Sequence, residues 1–219
     1  MKKMHLLKLN LLTLNVCLAL AGNAYAEETV TAEAPEAEYT FLDSIKDGKS
    51  LSSVRARYEN VDQDNRQPAP NASKELKNSY AFTTRTLLGW QTAPYKNFSF
   101  GAQITDVHEF NDDFNDRRGN APEHNNNTAN SSLFKRQYAN IVDPGFTDIN
   151  QLYVDWTGIK NTKVRLGRQV LNLDNVRFIG DIAFRQNTQV FDGVSILNKS
   201  IPDTELFYSH FYQVRQINT

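Results

Sequence analysis

From Leu51 onward the chain repeats one pattern: runs in which apolar or aromatic residues alternate with polar, charged or small ones. In Leu51–Asn60, Val54, Ala56 and Tyr58 fall on one side, with Ser53, Arg55, Arg57 and Glu59 on the other. Ser79–Gln91 sets Phe82, Thr84, Thr86, Leu88 and Trp90 against Thr83, Arg85, Leu87 and Gly89. Asn97–Val107 sets Phe98, Phe100, Ala102 and Ile104 against Ser99, Gly101, Gln103 and Thr105. Asn150–Trp156, with Tyr153 and Asp155 on its polar side, Thr162–Val170, Thr188–Asn198 and Thr204–Arg215 continue the series. A period of two is the signature of a strand whose faces meet different surroundings, so seven strands are expected. In the last, Phe207, Tyr208, Phe211 and Tyr212 place aromatic rings on both sides, and the pattern does not assign its faces.

The connections have a rhythm of their own. Val61–Asn78 and Glu109–Asp148 are long and polar, and Leu171–Asn187 is of medium length. Thr92–Lys96, Thr157–Asn161 and Lys199–Asp203 are short turns. A transmembrane β-barrel has this arrangement: short turns on one side, long loops on the other, lipid against one face of each strand and water against the other. Trp90, Tyr95, Phe98 and Trp156 lie beside the short turns, where interfacial aromatic girdles sit. A soluble antiparallel sandwich also alternates. It accounts less well for the loop rhythm and for Arg55, Arg57 and Glu59 filling one face of the first strand.

Composition adds an address. Residues 1–26 have the layout of a secretory signal peptide: Lys2, Lys3 and Lys8, an apolar run from Leu9 to Ala21, and Ala24-Tyr25-Ala26 as a small-x-small cleavage site. Cys17 is preceded by Asn15-Val16, a poor lipidation motif, and the apolar run continues beyond it. Residues 27–49 read as a disordered, acidic lead-in, with the helix-like stretch around Phe41, Leu42 and Ile45 taken as a linker turn. Cleavage removes three of the 24 basic residues and leaves the 25 acids, a net charge of −4 that argues against a nucleic-acid partner. It also removes the one cysteine, and with it any disulfide or cysteine-based metal site.

Enzymatic signatures are absent from the sequence. The mature histidines are His108, His124 and His210, and Ser209-His210 are strand neighbours that point to opposite faces. There is no GxSxG, HExxH or phosphate-loop motif. Asp112, Asp113, Asn115 and Asp116 miss the spacing of a calcium loop and read as solvated. No enzyme activity, cofactor or metal is expected.

The run Asn150-Gln151-Leu152-Tyr153-Val154-Asp155-Trp156, then Asn161 through Gln169, Asn172 through Gly180 and Phe184-Arg185-Gln186-Asn187, resembles the alginate-export family of Gram-negative outer-membrane porins. Ser53 through Glu59 and Thr84 through Trp90 are similar to its opening strands. The resemblance implies an all-β, antiparallel, monomeric barrel of about eighteen strands, within the range such barrels span. Residues 50–219 supply about seven of them, so the chain reads as the N-terminal part of a larger barrel. It also implies outer-membrane lipid outside and an arginine-lined lumen for an anionic polysaccharide or smaller anionic solute. On the faces assigned to the lumen stand Arg55, Arg57, Glu59, Arg85, Tyr153, Asp155 and Arg165. The guanidiniums present planar forks to carboxylates, or they pair with Glu59, Asp106 and Asp155 to brace the wall. Leu171–Asn187, with Arg168, Asp174, Asn175, Arg177 and Arg185, is the candidate constriction loop. The exposed pairs Phe178-Ile179 and Ala183-Phe184 favour its folding inward. The competing reading is a secreted or periplasmic β-sheet module that binds acidic saccharides without forming a pore.

Overall fold

The computed structural model of this chain describes residues 12–18, 38–64, 75–116, 135 and 137–217. In chain order its elements are β1 (Leu12–Leu18), α1 (Phe41–Lys46), β2 (Lys49–Ser50), β3 (Ser53–Val61), β4 (Ser79–Gln91), β5 (Phe98–Glu109), β6 (Phe146–Trp156), β7 (Thr162–Gln169), β8 (Val190–Asn198) and β9 (Leu206–Arg215). All strands join one antiparallel sheet in the order β1-β3-β4-β5-β6-β7-β8-β9, with β2 pairing on β4. The seven expected strands are β3 to β9, each hydrogen-bonded to its sequence neighbour, as an up-and-down meander requires. The sheet is open, with β1 and β9 at its edges.

The two faces are the reverse of a soluble core. Phe82, Leu88, Trp90, Phe98, Phe100, Ile104 and Leu152 are exposed, and Leu166 is 62 % exposed. On the opposite face Arg57, Glu59, Thr83, Gln103, Thr105, Asp155 and Ser195 are buried, with Asp155 only 3 % exposed. A sandwich would bury the apolar face; here that face is exposed, an arrangement consistent with part of a β-barrel. The apolar cluster of the described residues is small. Ala81, Phe114 and Ile141 pack with Val61 at the long-loop end, where Ser79 Oγ donates to the Ala139 carbonyl at 2.7 Å.

Three elements differ from the sequence expectation. β6 begins at Phe146 rather than Asn150, because a bulge hides its alternation: Ile149 faces Ile104 and Gln151 faces Gln103, leaving Asn150 as the extra residue. Its amide donates to Gln103 Oε1 at 2.7 Å, and its own oxygen accepts from Thr188 Oγ1 at 2.6 Å. The expected linker turn is instead α1, because Thr40 and Asp43 form a reciprocal capping box that satisfies its first amides. Residues 38–49 of the expected disordered lead-in are therefore ordered, and residues 27–37 lie outside the described region. Finally, part of the expected leader pairs along β3, with Leu18 opposite Val54 and Leu12 opposite Asn60. Cleavage after Ala26 would take β1 away and leave that edge of β3 open to another strand.

Candidate functional site

The site is built where the loop between β7 and β8 crosses the polar face. In the sheet β3 and β7 are separated by β4, β5 and β6, yet the Ala183–Asn187 segment after β7 touches β3. It can reach there only across the concave side. Four successive backbone carbonyls of this segment are each taken by a guanidinium of the wall. Ala183 O accepts from Arg55 Nη1 at 2.7 Å, Phe184 O from Arg57 Nη1, Arg185 O from Arg55 Nη2, and Gln186 O from Arg85 Nη1 at 3.3 Å. Arg55 Nε also donates to the Gln186 side chain at 2.9 Å. That side chain, fully buried, donates in turn to Thr83 Oγ1 at 2.8 Å.

A buried charge cluster lies beneath. Arg57 contacts Glu59 and lies 3.3 Å from Asp143. Arg185 returns from the loop to Glu59 at 3.3 Å and to Asp143 at 3.8 Å. Asp143 belongs to the loop between β5 and β6, so two loops interlock here. Its Oδ1 accepts the Gln186 amide at 2.7 Å, and the Asn187 amide group donates to Pro144 O at 2.9 Å. Burial pushes the Asp143 carboxyl above the ordinary aspartate range, against the pull of Arg57, the Gln186 amide and Arg185. The docked state therefore holds the Asp143 proton more tightly than a detached loop would. Its contribution to docking is present at low pH and is lost as pH rises through the raised pKa. Release of the docked segment, read as protease access to residues 183–187, should accordingly increase with pH across the interval above the ordinary aspartate pKa, and Asp143→Asn should flatten that dependence.

A second cluster braces the wall. Arg165 holds Asp155 by two parallel hydrogen bonds of 2.6 and 2.7 Å, and its guanidinium lies 3.6 Å from the centroid of the Tyr153 ring. Tyr153 in turn donates to Gln91 Oε1 at 3.1 Å. The ring covers Gly101, where a Cβ would come within 2.3 Å of it. Arg168 sits inside β7, not in the loop, and its fork grips Asp192 at 2.8 and 2.9 Å while also reaching Ile149 O at 3.0 Å.

The rest of the expected constriction loop does not dock. Asp174 and Val176 take left-handed backbone angles in a turn closed on itself, with Leu173 N donating to Ile179 O at 3.1 Å. Asn175 Oδ1 accepts the Arg177 amide at 3.2 Å, and Phe178 is 92 % exposed. Of the two apolar pairs, only the Ala183-Phe184 backbone is drawn onto the wall. Among the described residues Arg177 forms no ion pair; its guanidinium lies 5.9 Å from the neighbouring Phe178 ring.

The sequence reading missed three contributors. Asp143 and Gln186 lie in loops whose fold no periodicity reports. Lys163 shares the inner face of β7 with Arg165 and lines a cavity of about 230 Å³ with Arg165, Gln169, Ser195 and Phe207. The alternation Lys163, Arg165 against Val164, Leu166 would have placed it there. No ion pair engages Lys163 among the described residues. Asp112 pairs with Lys135 and Asp113 accepts from Tyr138. No group of three or more metal-ligating side chains occurs among the described residues.

A polar face crossed by a loop, on a sheet whose other face is apolar and exposed, is consistent with part of a β-barrel. The family model for alginate export matches residues 51–213, from just before β3 to within β9. The chain belongs to the alginate-export family. No curated protein and no solved structure matches it. Family membership makes it an alginate-export-type outer-membrane protein, in a family that transports rather than catalyses. No helix of the described residues is long and apolar enough to cross a membrane.

Proposed function

We propose that these strands form part of an outer-membrane channel for anionic solutes such as uronate polymers, with an aperture set by the docked segment Ala183–Asn187. The observation that carries this reading is the capture of four consecutive loop carbonyls by Arg55, Arg57 and Arg85 across the concave face. A segment held in this way narrows the lumen at a fixed depth. The guanidiniums expected to form a ladder for the solute mostly have intramolecular partners, so they set width first and field second. Lys163 on the inner wall and Arg177 at the loop tip, which form no ion pair among the described residues, are the better candidates for contact with a passing carboxylate. An ammonium suits that task, because a point charge on a flexible stem releases one carboxylate as readily as it takes the next.

Planar-bilayer recording tests this. Lys163→Gln should move the reversal potential under a salt gradient toward cation preference and weaken block by oligouronates, leaving single-channel conductance nearly unchanged. Unaltered selectivity and block in both Lys163→Gln and Arg177→Gln would rule out these side chains as the solute contacts.

A further inference from the structure

We infer that α1 is an interfacial anchor, clamped to the outside of the barrel at its short-turn end and seated in the phospholipid headgroup layer. Its attachment to the sheet is direct. The Trp90 indole donates to Ile45 O at 2.9 Å and the Ala93 amide donates to Ser44 O at 2.8 Å, so the barrel rim satisfies carbonyls that a helix end leaves unpaired. Phe41 meets the rings of Tyr95 and Phe100 edge-on, at 6.0 and 6.2 Å. Phe100 belongs to the outward, apolar face of β5, which places the helix outside the wall.

Clamping leaves an apolar stripe uncovered. Ser44, on the barrel side, is fully buried, whereas Phe41, Leu42 and Ile45 stay exposed, Leu42 by 59 %. Positions i, i+1 and i+4 form one face of a helix, and the exposed Tyr39 extends it. The stripe is continuous with exposed Trp90, Phe98 and Phe100, the aromatic belt beside the short turns. That continuity selects the occupant: a rim helix joined to the lipid-facing band lies at headgroup depth, where aromatic belts and amphipathic helices partition. Lys46, Lys49 and Lys96 share this end of the barrel and suit the phosphates of that layer. Asp43, the acid within the helix, is turned back onto the Thr40 amide and hydroxyl at 3.0 and 2.6 Å.

The inference rests on the outer face meeting lipid, and the test separates the two. Cys17→Ser removes the chain's one cysteine. Single cysteines at Leu42, Leu166 and Asp203 then carry an environment-sensitive fluorophore in the protein inserted into phosphatidylethanolamine–phosphatidylglycerol vesicles. Lipid-borne quenchers sit at the top or near the end of the acyl chains. The expected result is several-fold stronger quenching of Leu42→Cys by the shallow quencher than by the deep one, deep quenching of Leu166→Cys, and neither for Asp203→Cys in a short turn. A Leu42→Cys label that matches Asp203→Cys while Leu166→Cys is quenched overturns the anchor alone. So does a Leu42→Cys label shielded from water but blind to both lipid quenchers, which would mean a protein partner. An unquenched Leu166→Cys label removes the lipid-facing wall and the anchor with it.

Discussion

Arg55→Ala should widen the pore. Arg55 alone makes three hydrogen bonds to the docked segment, to Ala183 O, Arg185 O and the Gln186 side chain. Hydrogen bonds from a charged donor are worth about 1.5–3 kcal/mol each, so their loss costs docking several kcal/mol. Since about 1.4 kcal/mol is a tenfold change in an equilibrium, the undocked loop becomes a major state. Single-channel recording should show raised conductance and added open-state noise as the segment comes and goes. Arg55→Lys separates the two roles a guanidinium can have here. It keeps the charge but cannot reproduce a planar fork that reaches two carbonyls and an amide. If Arg55 is a bracket, Lys behaves like Ala in conductance. If Arg55 acts chiefly as a fixed charge for anions, Lys behaves like wild type and only Ala shifts the reversal potential. Wild-type conductance in both variants would mean that the segment is held without Arg55.

The wall was legible in the sequence and the plug was not, for a physical reason. Faces that meet different surroundings impose a period of two on every strand, so β3, β4 and β5 could be bounded to within two residues. The pattern failed at bulges, where one inserted residue shifts the phase. Asn150 hid the first turn of β6, and at Asp192/Gly193 a second bulge leaves Tyr212 as the extra residue in β9. Phe207 and Tyr208 lie before that slip, in regular register opposite Leu197 and Ile196, so aromatic rings stand on both faces of the strand without its help. Loops write no period at all. The inward fold of Ala183–Asn187 depends on partners more than a hundred residues away, Arg55 and Thr83. The sequence could name Arg55, Arg57 and Arg85 as inner-wall charges, but not that backbone carbonyls would occupy them. It also held the signal for α1, since Thr40 and Asp43 have capping-box spacing. The contacts of α1 with Trp90, Tyr95 and Phe100, distant in sequence, were what the sequence did not show.

Glu59→Leu should be the most damaging single change in the interior. Glu59 is 3 % exposed and serves both Arg57, itself 5 % exposed, and Arg185. Its removal leaves two guanidiniums to share Asp143 where water cannot replace the lost partner. Breaking a buried pair from one side costs about 3–5 kcal/mol, most of it the penalty of an uncompensated buried charge. Urea unfolding in micelles should report a loss of that order, with the heat-modifiable folded band lost at a lower temperature. The same physics predicts a rescue. Arg57→Met with Glu59→Leu removes both charges and fills the space with apolar atoms, which in buried pairs is often neutral, so the double variant should regain most of the stability lost by Glu59→Leu. It should not regain the aperture, because Phe184 O still lacks the Arg57 donor. Stability and loop docking then part company in one variant, as they must if the cluster both braces β3 and holds the segment. A Glu59→Leu protein within about 1 kcal/mol of wild type, the range of an exposed pair, would show that water reaches these guanidiniums and that the cluster is no brace.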